Sequence, residues 1–398
     1  MLDSNAQHCG RCERSCTNGK SCVEGVCRLV CKEDRLLCGE RCVDTTKDAQ
    51  HCGGCGLRCS SKVCREGRCV LHADTIFALD LTATCSVVSG QLKCWGYNTD
   101  GRLGYAYRNT IRSPLDDFVP LGGQAVKQID SMGAVQGETC ALLQNGTLLC
   151  WKYDPENYTQ FAKQKIEFSR KVQQIDGTNS HTCTLLEGGD VKCWGLGMDG
   201  QLGYGTFHSR DKLEKGFVDL QGKKSKQVVV GSSSTCVLLE GGAVNCWGDN
   251  RRGQLGYGDF TKRNKPSSQD VELHGYKAIQ LGMGNQFVCA LLDKGNVKCW
   301  GSNIYGQLGL GMKISTSSKL SKPSTQNIDF QGKQVQRISA SLSHVCAVLE
   351  DGGLNCWGQN NNGQLGHTDN LNRNKPEANP LDLGGARVRQ VSCGYNHT

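Results

Sequence analysis

Short runs of apolar and β-branched residues alternate with glycine-containing turns from residue 73 onward. Residues 183–193 (CTLLEGGDVKC) show the pattern, because two apolar runs flank a turn with two glycines. Such an arrangement is typical of a β-hairpin. Further β runs, such as 172–175 and 335–338, lie between the hairpins, and no segment shows the longer period of a helix. The pattern therefore predicts an all-β region built from short strands.

A Cys-Trp dipeptide recurs six times in this region, at intervals of 43 to 57 residues, and accounts for every tryptophan in the chain. Its cysteine always follows another cysteine by nine or ten positions, across the glycine turn. Folding the hairpin about that turn places the two cysteines opposite each other, at a Cα distance of about 4.5–5.5 Å that a disulfide can bridge. Two cysteines alone would not satisfy a structural zinc ion. We therefore predict six cross-strand disulfides: Cys85–Cys94, Cys140–Cys150, Cys183–Cys193, Cys236–Cys246, Cys289–Cys299 and Cys346–Cys356.

A second motif follows most of the tryptophans. Gly-x4-Gly-Gln-Leu-Gly occurs at 195–203, 248–256, 301–309 and 358–366, and a close variant occurs at 96–104. Loops that are often basic and contain a proline come next. Each unit then offers about four short strands over 40–57 residues, which is typical of a propeller blade.

These anchors resemble the repeat of the regulator of chromosome condensation family, most clearly at 180–203, 234–256, 288–309 and 343–366. The resemblance implies a seven-bladed β-propeller over residues 73–398. We count six hairpins and the opening of a seventh, so about six and a fraction blades are expected. Residues 391–398 align on 175–182, which predicts a C-terminally truncated propeller and leaves Cys393 as a lone thiol.

The first 69 residues contain 13 of the 26 cysteines, in two copies of one pattern. Residues 1–30 are interpreted as a partial cysteine-rich repeat. Residues 31–72 resemble the stigma-specific-protein-like cysteine module, which implies an extracellular role. Segments this short need cross-links or metal ions to fold. Disulfides are the favoured interpretation, and zinc stays an alternative because Cys9-x2-Cys12 and Cys52-x2-Cys55 each have a neighbouring histidine.

Composition limits the possible partners. The chain has 46 Lys and Arg residues against 38 Asp and Glu, a net charge of +8 that gives little reason to expect nucleic acid. No apolar stretch is long enough to span a membrane, and no signal peptide is visible at residue 1. Paired cysteines favour an extracellular or cell-surface location, with a signal or anchor expected upstream. A cytoplasmic location is the alternative.

Catalytic motifs are absent from the sequence, which contains no Gly-x-Ser-x-Gly elbow, P-loop or His-Glu-x-x-His. His181, His344 and His397 recur with the repeat and are interpreted as structural. We therefore expect no enzyme activity, no cofactor and no bound metal.

One copy of the repeat departs from the others after Trp151, where Lys152 replaces glycine. The segment that follows contains Tyr153, Tyr158 and Phe161, which are residue types that interfaces favour. A shortened blade with a divergent outer loop and a binding loop are both open interpretations of this segment.

The favoured function is a monomeric, non-catalytic secreted or cell-surface protein that binds an unknown protein partner through its propeller. The family resemblance implies guanine-nucleotide exchange on a small GTPase as an alternative, although only scaffold residues match and a reducing compartment would open the cysteine pairs. Inhibition of a secreted enzyme is a further alternative.

Overall fold

The computed structural model consists of two compact units, Met1–Asp74 and Thr75–Thr398. The residues that it describes are 21–23, 26–28, 31, 35–38, 41–48, 50–51, 55, 64–65, 68–69, 75–79, 83–98, 101–105, 109–132, 138–152, 162–211 and 215–398.

The described residues of the N-terminal unit form three two-stranded antiparallel sheets, β1–β2, β3–β4 and β5–β6. Their bounds are Ser21–Val23 (β1), Val26–Arg28 (β2), Leu36–Cys38 (β3), Arg41–Val43 (β4), Cys64–Arg65 (β5) and Arg68–Cys69 (β6). Two cysteine pairs hold the middle hairpin, because Cys31 is bonded to Cys42 and Cys38 to Cys55. Strands of two or three residues bury little apolar surface, so covalent links are the main source of stability described in this unit.

In the described part of the second unit there are six antiparallel sheets of three or four strands, which we number as blades 1 to 6. Blades 1 to 3 consist of Thr75–Leu79 (β7), Ala83–Val88 (β8) and Gln91–Gly96 (β9); Val126–Met132 (β10), Glu138–Leu143 (β11), Leu148–Lys152 (β12) and Ala162–Ile166 (β13); and Val172–Gly177 (β14), His181–Leu186 (β15) and Val191–Gly195 (β16). Blades 4 to 6 consist of Ser225–Val230 (β17), Ser234–Leu239 (β18) and Val244–Gly248 (β19); Ala278–Met283 (β20), Phe287–Leu292 (β21), Val297–Ser302 (β22) and Lys319–Leu320 (β23); and Val335–Ser341 (β24), His344–Leu349 (β25) and Leu354–Gly358 (β26).

The second and third strands of each blade form the hairpin that carries the cysteines. In blade 3, Cys183 lies directly opposite Cys193, with a Cα distance of 4.1 Å. The same register and a Cα distance of 4.0 or 4.1 Å occur in the other five blades. The two cysteines of blade 1 are nine residues apart in sequence, and those of the other blades are ten apart. The turn of blade 1 is one residue shorter, because Ser89 and Gly90 both have positive φ (51° and 78°), as a two-residue type I′ hairpin requires.

The fourth strand of most blades is reduced to a single bridge. The glycine after the third-strand tryptophan pairs with one residue of the returning loop, as in Gly195↔Arg210, Gly248↔Arg263 and Gly358↔Arg373. Blade 2 differs, because β13 pairs with the whole of β12. Residues 162–166 therefore form a full outer strand in blade 2.

The apolar core is divided among the boundaries between blades. One cluster joins blades 4 and 5 and includes Leu238, Leu255, Leu281 and Trp300, and comparable clusters fill the other boundaries between adjacent blades. Sheets that bury both faces against their neighbours in this way are typical of a propeller. The predicted all-β propeller class is confirmed, and no helix occurs among the described residues. Accordingly, no helix in the described part of the chain has the length and hydropathy needed to cross a membrane.

Residues 388–398, the seventh-blade segment, pack against blade 6 although they form no strand. Val388, Val391 and Cys393 join the cluster that contains Cys346 and Leu365. The segment also touches blade 1, because His397 Nε2 lies 3.4 Å from Thr84 Oγ1. Blades 6 and 1 are therefore joined through the start of a seventh blade.

Candidate binding surfaces

The recurring histidines connect neighbouring blades. His181 Nε2 lies 2.7 Å from Thr235 Oγ1 in the next blade, and His344 Nε2 lies 3.0 Å from Thr398 Oγ1. Burial lowers the pKa of His181 to about 3 and that of His344 to about 4, so both rings are neutral at physiological pH. A histidine buried at a blade boundary and bonded there acts as a structural link, because substrate has no access to it.

The recurring tryptophans make a second connection, to the Gln-Leu-Gly turn of the preceding blade. Trp300 Nε1 donates to the Gln254 carbonyl at 3.0 Å. Gly256 has a φ of +82°, and a Cβ at this position would lie 2.7 Å from Trp300 Nε1. The turn therefore needs glycine for its backbone conformation and for the space that the indole occupies. The same bond recurs at Trp151, Trp247 and Trp357.

A glutamine on the first strand of blades 2 to 5 makes a third connection, which the sequence analysis missed. Gln174 Nε2 donates to the Val228 carbonyl at 2.8 Å, and the Val228 N–H donates to Gln174 Oε1 at 3.0 Å. A β-bulge precedes the glutamine in each of these blades and turns its side chain toward the next blade. Arg337 takes this place in blade 6. The available signal was a glutamine nine residues before the first hairpin cysteine of blades 3 to 5, in runs such as 172–175.

A cavity of about 500 Å³ lies where the first strands converge. Asp130, Asp176, Asn285 and Tyr395 are among the polar residues that line it. Burial raises the pKa of Asp176 to about 7, against hydrogen bonds from backbone N–H groups and from Asp130 that favour its charged form. Asp130 and Asp176 each accept an N–H of the next blade, from Gly177 and Val230 respectively, at 3.1 Å. The two aspartates therefore link blade 2 to blade 3 and blade 3 to blade 4, in addition to lining the cavity.

The strands leave two faces with different kinds of loop. On one face, which we call the loop face, the loops after the third strands contact the turns between the first and second strands. For example, the Asp249 N–H donates to the Ser233 carbonyl at 2.8 Å. The opposite face, which we call the hairpin face, contains the turns of the cysteine hairpins and the connections between blades. A turn and a connection are in contact there, because the Glu240 N–H donates to the Lys224 carbonyl at 2.8 Å. The cavity lining includes turns of the loop face such as 178–180.

The loops of blades 3 to 6 on the loop face form one continuous feature, which we call the loop arc and define as residues 196–211, 249–266, 302–323 and 359–376. Backbone hydrogen bonds join each loop to the next, from Gly205 to Asn264, from Gly258 to Ser321 and from Gly311 to Asn374, at 2.8–2.9 Å. Because these bonds run between blades, they fix the relative positions of side chains that lie far apart in sequence.

Exposed aromatic rings and lysines alternate along the loop arc. The Lys262 ammonium lies 4.9 Å from the ring centroid of Phe207, which belongs to the preceding blade. The Lys319 ammonium lies 4.1 Å from the ring of Phe260, again across a blade boundary. Such contacts hold an exposed ring in place while much of its surface stays open to a partner.

The sequence-predicted binding residues Tyr153, Tyr158 and Phe161 lie outside the described residues, so their interpretation as a binding loop stays a prediction. Metal-ligating side chains converge twice in the described part of the chain, at His344, Cys346 and Cys393 and at Glu138, Cys140 and Cys150. Each group includes a cysteine bonded to another cysteine. Neither group therefore offers a complete set of free ligands for zinc.

Comparison with known proteins places the fold in a family. The chain is 35% identical over 230 residues to the ultraviolet-B receptor UVR8 of Arabidopsis thaliana, a match that covers 58% of this chain and 50% of the receptor. It is 30% identical over 322 residues to the human E3 ubiquitin-protein ligase HERC2, covering 79% of this chain and 5% of the ligase. The chain thus spans about half the length of UVR8 and a small part of HERC2.

Solved structures agree at the level of fold. Human WBSCR16 superposes with a TM-score of 0.68 at 22% identity, covering 81% of this chain and 85% of that protein. Yeast RCC1 (Prp20), solved in complex with Kap60, superposes with a TM-score of 0.67 at 18% identity, covering 81% of this chain and 78% of the yeast protein. The profile of the RCC1-like domain matches residues 53–398, and the chain therefore belongs to the RCC1-like domain family.

Proposed function

We propose that the chain is a non-catalytic binding protein of an oxidising compartment, at the cell surface or outside the cell, whose propeller holds a protein partner. The cysteine pairs carry the proposal. Each of the six blades holds one pair at the centre of its hairpin, and all twelve cysteines are at most 2% exposed. Disulfides persist in oxidising compartments and are rare where glutathione and thioredoxin keep thiols reduced.

The side chains that recur with the repeat support binding over catalysis. The histidines, tryptophans and glutamines described above bond to the neighbouring blade, which leaves them unavailable for proton transfer or covalent chemistry. The variable side chains are those of the loops, where a rigid scaffold presents them to solvent. A propeller of this kind provides a stable platform, and its loops select the partner.

Non-reducing peptide mapping after thiol alkylation of the protein from its native source tests the proposal. We expect the twelve propeller cysteines to be recovered as six linked pairs, since each partner lies directly opposite. Recovery of most of them as alkylated thiols would remove the argument for an oxidising compartment. Accelerated nucleotide release from a Ran-like GTPase would instead support the exchange-factor alternative.

A further inference from the structure

Most of the excess positive charge of the chain lies on the loop arc. The loops of blades 4, 5 and 6 (249–266, 302–323 and 359–376) contain ten Lys and Arg residues against three Asp residues, a net charge of +7. The hairpin face of the same blades, at 240–243, 272–277, 293–296, 329–334, 350–353 and 382–387, has four Lys and Arg residues against seven Asp and Glu, a net charge of −3. The two faces of one half of the propeller therefore have opposite charge.

The acidic residues of the loop arc in these blades are already paired inside their own loops. Asp249, Asp259 and Asp369 each contact an arginine at 2.8 Å. Their charges are therefore compensated locally, and the excess belongs to Arg252 and six lysines.

Three lysines occupy the same place in successive blades, each directly before a proline: Lys265, Lys322 and Lys375. All three are exposed, and none makes an ion pair or a side-chain hydrogen bond within the described part of the chain. The carbon chains of two of them run beside the preceding loop, because the Lys322 Cδ and Lys375 Cδ lie 4.0 Å from the Cβ positions that Gly258 and Gly311 would have. The row of free ammonium groups thus follows the loop arc from blade to blade.

Apolar side chains stand among these charges. Phe207 is 43% exposed, Phe260 is 48% exposed and Leu371 is 66% exposed. Aromatic anchors surrounded by polar groups are typical of protein interfaces. A surface that bound its partner through charge alone would not require these exposed apolar side chains.

We propose that the loop arc of blades 4 to 6 is the docking surface of the propeller and that it takes an acidic polypeptide segment carrying apolar side chains. The proposal rests on the protein-binding function proposed above and specifies its partner. Carboxylates of the segment pair with Lys265, Lys322 and Lys375, while an apolar side chain packs against Phe260. The net charge of +7 favours this surface over the hairpin face of the same blades, whose net charge is −3.

A sulfated polysaccharide is the competing occupant, because it would also pair with a row of lysines. It would leave Phe260 and Leu371 without apolar contacts, so the exposed side chains favour a polypeptide. The two occupants differ in one measurable respect, which is their dependence on Phe260.

The test measures binding of the full chain to a fluorescein-labelled glutamate-rich peptide with interspersed leucines, by fluorescence anisotropy. The test variant is K265E/K322E/K375E, and the matched control is K277E/K294E/K333E on the hairpin face. Both variants change the net charge equally, so a general loss of electrostatic attraction would affect them alike. We expect at least about a tenfold loss of affinity for the test variant and less than about a twofold loss for the control.

Two further arms complete the experiment. F260S should weaken binding of the peptide about threefold to tenfold, and heparin should compete poorly. Equal losses of affinity in the two charge variants, or no binding of the peptide by the unmodified chain, would overturn the proposed docking surface. Neither result would overturn the protein-binding function, which thiol mapping tests separately. Tight heparin binding that F260S does not change would replace the polypeptide with a polysaccharide.

Discussion

The loop face and the hairpin face are built from the same strands but differ in what their polar groups do. Acidic groups of the hairpin face are used internally: Asp190 contacts Lys224 at 2.8 Å, and Asp329 Oδ1 accepts the N–H of Gln331 at 2.7 Å. On the loop face, backbone bonds and tryptophans provide the internal support, and lysines and rings are left at the surface. Lysines and rings that the internal support does not use can form a binding site without loss of stability.

The largest predicted effect concerns the support of the loop face. Trp300 is fully buried and donates to the Gln254 carbonyl, so Trp300→Ala should lower the free energy of unfolding by about 3–5 kcal/mol. Trp300→Phe, which keeps a ring but loses the hydrogen bond, should cost about 1–3 kcal/mol. Urea unfolding measures both. A loss below about 1 kcal/mol for the alanine variant would contradict the role assigned to this tryptophan.

Two glycines with the same backbone conformation compare the faces directly. Gly256 on the loop face has a φ of +82°, and Gly275 on the hairpin face has a φ of +83°. A Cβ at Gly256 would lie 2.7 Å from Trp300 Nε1, whereas nothing lies within 4 Å of one at Gly275. Gly275→Ala should therefore cost only the conformational term, about 1–2 kcal/mol, and Gly256→Ala at least about 1 kcal/mol more. Equal melting temperatures for the two variants would show that the tryptophan contact is dispensable.

The glutamine connection between blades should have a smaller effect. Gln174→Ala leaves the N–H and the carbonyl of Val228 without their partners, at a cost of about 1–3 kcal/mol. Gln173→Ala is the matched control, because its side chain is exposed on the adjacent position of the same strand and should change stability by less than about 0.5 kcal/mol. Chemical denaturation distinguishes the two. If both variants behave alike, the side-chain bonds between first strands contribute nothing measurable.

The last effect concerns the cavity and depends on pH. The folded pKa of Asp176 is about 7, above the ordinary value of 3.8, so the folded state holds this proton more tightly than the unfolded state. The contribution of this proton to the free energy of unfolding is therefore fully present below pH 4 and is lost as the pH rises to 7. Asp176→Asn should remove this contribution to the pH dependence of the free energy of unfolding. Above pH 7 the variant should gain about 1 kcal/mol or more of stability relative to the unmodified chain. Melting curves between pH 4 and 8 test this, and an unchanged slope would exclude Asp176 as its source.

The propeller class could be predicted because its determinants repeat and act locally. A glycine turn between two apolar runs specifies a hairpin wherever it occurs, and the Cys-Trp spacing repeats that hairpin along the chain. Gln174 gave a weaker signal, since the glutamine recurs nine residues before the first hairpin cysteine only in blades 3 to 5. Its partner Val228 lies 54 residues away, which no local pattern reveals. The loop arc was hidden for the same reason, because Phe207 and Lys262 meet only after the blades assemble.

The predicted binding loop at Tyr153, Tyr158 and Phe161 illustrates another limit. Aromatic content alone suggested an interface there, but content does not reveal which charged groups lie beside an exposed ring. At Phe260 the structure supplies that information, because the Lys319 ammonium lies 4.1 Å from the ring centroid. The choice between the two faces thus required side-chain positions as well as composition.

The central claim, that the loop face receives the partner, is tested most directly by lysine acetylation of the full chain with and without the glutamate-rich peptide. Mass spectrometry reports the modification of each lysine separately. We predict that the peptide protects Lys265, Lys322 and Lys375 and leaves Lys277 and Lys294 of the hairpin face unchanged. Protection of the hairpin-face lysines, or equal modification of all five in both samples, would contradict the claim.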